Sequence, residues 1–208
     1  MAARAPAHFA ERHGLIIVAL GESIVAIGVG MTGLPISWSV VAASVLGLTV
    51  CATLWWVYCD VSATMGERAL VAEPGTLRSG LARDAYSFLH LPMVAGIVLL
   101  ALGLKTVLQH VADGGHDEPL ALAALYGGVA LYLLAHVGFT MRVLHTVTAQ
   151  RMVVAIVLLA LAPLPTKLTP LAILSGVVML LVSFARCSAS PPCGMRCATD
   201  QSNPPDPE

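Results

Sequence analysis

Apolar residues run in six stretches separated by more polar segments, the longest of them from Asp60 to Asp84. The stretches span Gly14 to Met31, Ser37 to Cys59, Tyr86 to Leu108, Leu120 to Met141, a fifth ending at Leu164, and Leu168 to Ala185. A bilayer core takes about 20 apolar residues of α-helix, so each stretch predicts a membrane-crossing helix. The fifth is the exception, since Met152 to Leu164 alone would rise only about 20 Å. Lipid-exposed irregular backbone is not tolerated in hydrocarbon. We therefore expect that helix to start near Thr146, with Arg151 snorkelling to the headgroups. The predicted fold is all-α: a polytopic bundle of about six transmembrane helices, near residues 14–31, 37–59, 86–108, 120–141, 146–164 and 168–185. They form one membrane domain over residues 1–186. Residues 187–208, rich in Ser, Pro, Cys and Asp and lacking periodicity, read as a disordered cytoplasmic tail.

Composition agrees with the pattern. Hydrophobic residues make up 57% of the chain and charged residues 11%, less than half the roughly 25% of a soluble domain. The net charge of −1 gives no reason to expect nucleic acid as a partner. Where the charges fall is more informative than their sum. With six spans and the N-terminus inside, all nine arginines lie on the cytoplasmic side and both lysines, Lys105 and Lys167, outside. The positive-inside rule thus gives both termini a cytoplasmic location. No small-residue cleavage site follows the first apolar run, so a secretory signal peptide is not expected. Trp55, Trp56 and Tyr58 sit where an aromatic belt would meet the cytoplasmic headgroups, and interfacial anchoring is their expected role.

The cysteines do not form a disulfide framework. Cys51 and Cys59 are about 12 Å apart along one helix, beyond bonding reach. Cys187, Cys193 and Cys197 lack a fourth ligand for zinc. Neither a metal nor an organic cofactor is expected. The chain has no phosphate-binding glycine loop, no HExxH pair and no nucleophile elbow, and enzymatic activity is not expected.

Glu22 stands apart. It lies in the middle of an apolar run, where a charged acid costs about 2.5–3.5 kcal/mol on insertion scales. It should be protonated, paired or turned to a wet cavity. Ala19, Ser23, Ala26 and Gly30 form a small-residue stripe beside it, which points to an interior position. Glu11 lies three turns earlier on the same face, next to Arg12. Asp60, Arg83, His90 and His136 gather toward the same membrane side. Together they suggest a polar vestibule open to the cytoplasm with Glu22 at its floor. Alternatively, Glu22 could serve as a hydrogen-bonding group between helices.

Three segments carry a family resemblance. His8-Phe-Ala-Glu11-Arg12-His-Gly14, followed by Ala19-Leu-Gly21-Glu22-Ser23, resembles the H-x-x-E-R-x-G and A-L-G-E-S signature of the bacterial low-temperature-requirement A (LtrA) membrane proteins. Tyr86 to Ile97 resembles the family's Y-x-x-x-H-x-P-M-x-x-G-I segment. Trp55-Trp56-Val-Tyr58-Cys59-Asp60 resembles its W-W-x-Y-F-D run, with Cys59 in place of the aromatic. The order and spacing hold from His8 to about Ala185, and the tail after Arg186 departs from the family's usual end. Family members are about twice as long, so the resemblance implies a C-terminal half, partnered in the lipid bilayer by the missing N-terminal half or by a second copy. It also implies a multi-pass protein of the bacterial plasma (inner) membrane associated with growth in the cold. Two functional classes stay open: a proton- or ion-linked transporter component, and a non-transporting sensor or structural module.

Overall fold

A computed structural model describes residues 4–59, 88–114, 119–144, 149–162 and 169–189, with side chains from Gly14 onward except at 144 and 187–189. Among these residues the chain forms six helices and no strand: α1 (Arg4–Gly30), α2 (Trp38–Tyr58), α3 (His90–Asp113), α4 (Pro119–Leu144), α5 (Ala149–Leu161) and α6 (Pro170–Ala189). The predicted helical membrane bundle is the observed architecture. Trp38–Tyr58, His90–Asp113 and Pro119–Val143 are long and apolar enough to cross a membrane; Gly14–Gly30, Ala149–Leu161 and Pro170–Arg186 are shorter apolar helices.

Local chemistry sets the helix ends. Helix α1 begins ten residues before the apolar run, because the alanine-rich Arg4–Ala10 segment favours helix and its proline falls in the first turn. Gly33, at φ 79°, turns the chain toward α2. There Ser37 caps the helix by accepting from the Val40 amide at 3.3 Å. Helix α3 runs past the expected Leu108 and stops only where Gly114 adopts a left-handed conformation and bonds the His110 carbonyl. Pro119 and Pro170 open α4 and α6, where a missing N–H costs nothing. Hydroxyls inside the spans bond back to their own helices. Ser44, Thr53 and Ser175 each donate to the carbonyl four residues earlier at 2.7–2.8 Å, which satisfies them without water.

The tightest pairing is α3 against α4. Gly96 and Gly103 on α3 interleave with Gly128 on α4, and the contacts run antiparallel, from Gly96 beside Tyr132 to Gly103 beside Leu125. A Cβ added at Gly128 would lie 2.5 Å from the Leu100 nitrogen, and one at Gly103 2.6 Å from the Leu125 nitrogen. The backbones themselves touch, as in other small-residue membrane interfaces. Helix α1 packs mainly on α3, and its buried positions are Ile16, Leu20, Ser23, Ile27 and Gly30, the last against Lys105. At Gly47 of α2, Ile27 of α1 and Leu104 of α3 converge.

The fifth helix departs from expectation at Arg151; its expected ends near Thr146 and at Leu164 lie outside the described residues. Its described span is Ala149–Leu161, and Arg151 is only 2% exposed instead of reaching outward to headgroups. The reason lies in its partner: His136 of α4 offers a hydrogen-bond acceptor inside the bundle, which outcompetes snorkelling.

Candidate functional site

A polar cluster is buried where α2 ends and α3 begins. Helix α4 contributes Tyr132, His136 and Phe139, spaced i, i+4, i+7 and therefore on one face; all three are buried. Helix α2 adds Tyr58, 2% exposed, from its last turn, and α3 adds buried His90 at its first residue. Arg151 enters from the first turn of α5.

Two hydrogen bonds organise these groups. The Tyr58 hydroxyl and His90 Nε2 are 3.1 Å apart. Arg151 Nη1 donates to His136 Nδ1 at 2.9 Å. A guanidinium has no acceptor, so Nδ1 must accept, and the ring's proton sits on Nε2. The Tyr132 hydroxyl closes the set by donating to the Leu54 carbonyl at 3.0 Å. That oxygen lies in a helix and has a second lone pair to offer.

Ring contacts join the two pairs. His136 stacks on Tyr132 (6.3 Å between centroids, 21°) and on Phe139 (6.4 Å, 10°). His90 meets Phe139 edge-on at 5.6 Å. Tyr58 lies within 6.3 Å of both histidine rings. The arrangement joins two imidazoles, a phenol and a fixed positive charge within an apolar core. Such a set can pass or hold a proton, and the guanidinium can attract an anion. Among the described residues no three metal-ligating side chains come together.

The candidates named from sequence divide accordingly. His90 and His136 are brought together, but buried in protein. Asp60 and Arg83 lie outside the described residues. Glu11 and Arg12 belong to α1, at positions whose side chains are not described. Glu22 is not an interior group: its side chain is exposed on the outer side of α1. Ser23 and Gly30 of the small-residue stripe do turn inward. Glu22, next to Ser23, is about 100° further round the helix.

Tyr58, Tyr132, Phe139 and Arg151 are not among the candidates named from sequence. Tyr58 was assigned to the interfacial belt, a role that fits only its neighbours Trp55 and Trp56, 44% and 54% exposed. Arg151 was assigned to the headgroups. The readable signal was the Tyr132–His136–Phe139 spacing on α4, a polar aromatic face that needs partners.

A sequence profile of the family described as bacterial low temperature requirement A protein (LtrA) matches residues 2–185. The chain belongs to the LtrA family. No curated protein and no solved structure matches it. The matched LtrA region takes in all the described cluster residues, from Tyr58 to Arg151, and Glu22 as well.

Proposed function

We propose that this LtrA-family membrane protein is a multi-pass component of proton- or ion-linked transport in the bacterial plasma membrane, without enzymatic activity, and that it contributes to growth in the cold. One observation carries the reading: Tyr58–His90 and His136–Arg151 are hydrogen-bonded pairs buried in an apolar helical core. Ionisable groups inside a membrane domain are costly and mark ion or proton paths by default. Arg151 supplies the fixed charge. The histidines and Tyr58 supply groups that exchange protons.

Proton flux in proteoliposomes carrying a trapped pH dye tests this. The wild-type chain is expected to dissipate an imposed pH gradient, and His136→Asn or Arg151→Gln to abolish that flux at unchanged membrane abundance. Wild-type vesicles no leakier than empty ones would refute the reading. Orientation is tested separately by reporter fusions. Those after Thr32 and Gly114 should report the outside, and one after Thr146 the cytoplasm.

A second reading, a non-transporting sensor or structural module, is favoured by the outward position of Glu22. There the acid would join helices instead of carrying protons. Cold growth separates the two for this residue: a hydrogen-bonding role tolerates Glu22→Gln and fails with Glu22→Ala, whereas a proton-cycling role fails with both.

A further inference from the structure

We infer that the outer face of α1 is an interface with a second copy of this chain. The inference is independent of the buried cluster and of any transport activity. Val18 is 70% exposed on this face, and Val25 and Val29 more than half exposed. Glu22 lies among them, exposed, at the middle of the apolar Gly14–Gly30 segment. A Cβ added at Gly14, Gly21 or Gly28 would meet nothing within 4 Å. The α3–α4 seam uses the same seven-residue glycine spacing, at Gly96 and Gly103, and there a helix backbone fills the space. On α1 the spacing is present and the neighbouring helix is not among the described residues.

Lipid suits the valines and not the acid. A carboxyl at mid-membrane needs a hydrogen-bond partner that acyl chains cannot give. The layout of the face specifies which partner. On a helix turning about 100° per residue, Val18 and Val25 mark the centre line. Glu22 lies roughly 50° to one side, and Gly14, Gly21 and Gly28 lie on the other. Two copies inserted in the same orientation are related by a two-fold axis along the membrane normal, which keeps every residue at its own depth. That operation sets the acid edge of one α1 against the glycine edge of the other. The missing side chains let the backbones approach. A neutral carboxyl at Glu22 can then donate to a main-chain carbonyl on the glycine edge, whose oxygen keeps a spare lone pair. A second copy therefore satisfies both acids at once.

Photobleaching-step counting tests this, using the full chain with one C-terminal fluorophore in bilayers at graded protein-to-lipid ratios. The wild type is expected to move from one-step to two-step particles as density rises. Gly21→Leu and Glu22→Ala should each raise the dimer dissociation constant roughly tenfold. Glu22→Gln, whose amide still donates, should stay near wild type. Gly176→Leu, at an equally open glycine on α6, should change nothing. A wild type that stays monomeric at every density overturns the inference and gives the face to lipid or to another protein. A dimer indifferent to Gly21→Leu and Glu22→Ala overturns it too, by locating the contact elsewhere. Should either variant fail to reach the bilayer, Val25→Leu replaces it. Weakening there supports the interface, and an unchanged dimer rejects it.

Discussion

The α3–α4 seam and the outer face of α1 are written in nearly the same letters and end in opposite states. Both place glycines seven residues apart on an apolar helix, and both have ionisable groups within membrane depth. In the seam the glycines vanish under a neighbouring backbone, and the polar groups close by are paired: His90 with Tyr58, His136 with Arg151. On α1 the glycines look onto open space and Glu22 is exposed among valines. A glycine repeat in a membrane helix therefore marks where a second helix can come close. It does not say which helix comes.

Substitutions can break that contrast. The largest effect should come from Gly128→Ala, whose new methyl falls on main-chain atoms of Leu100 that cannot swing aside. Overpacking of this kind costs about 3 kcal/mol, and a denaturant titration in bicelles should show the loss. If Gly128→Ala is as stable as wild type, α3 and α4 are not in backbone contact.

Arg151→Met should rank second. It leaves the His136 Nδ1 acceptor buried without its donor, at about 1–3 kcal/mol. Combining it with His136→Phe should recover part of the loss, because an apolar pair leaves no such acceptor. A double-mutant cycle on the same titration measures the coupling. Strict additivity would mean that the Arg151–His136 bond contributes nothing to the core.

The outer face should respond least. With the chain diluted to a monomer, Glu22→Gln and Gly21→Ala should each alter stability by no more than about 0.5 kcal/mol, as changes far from packed features do. A large loss for either in the monomer would mean that the face is already covered within the chain, and the two regions would then be alike.

How much of this could be read in advance depends on the physics of each feature. The positions of the helices follow from hydropathy summed along the chain, which is one-dimensional. Hence the predicted stretches at 37–59 and 120–141 lie over α2 and α4. The helix ends were partly legible in Gly114, Pro119 and Pro170, whose backbone preferences are local. The expectation for Arg151 failed because snorkelling and burial differ only by whether an acceptor lies within reach. His136 comes within reach only once α4 and α5 are packed together.

The sequence by itself determined an all-helical membrane protein of the LtrA type, with an acid at the centre of its first apolar run. The tertiary structure alone decided which way each side chain points. In a soluble helix, water and core differ in polarity and the inward face can be read from periodicity. Lipid is as apolar as a protein interior, so valines at 18, 25 and 29 look the same whether they face a neighbour or the bilayer. Ser23 and Gly30 turn inward and Glu22 outward because α3 packs against one side of α1, and no local property of α1 specifies that choice.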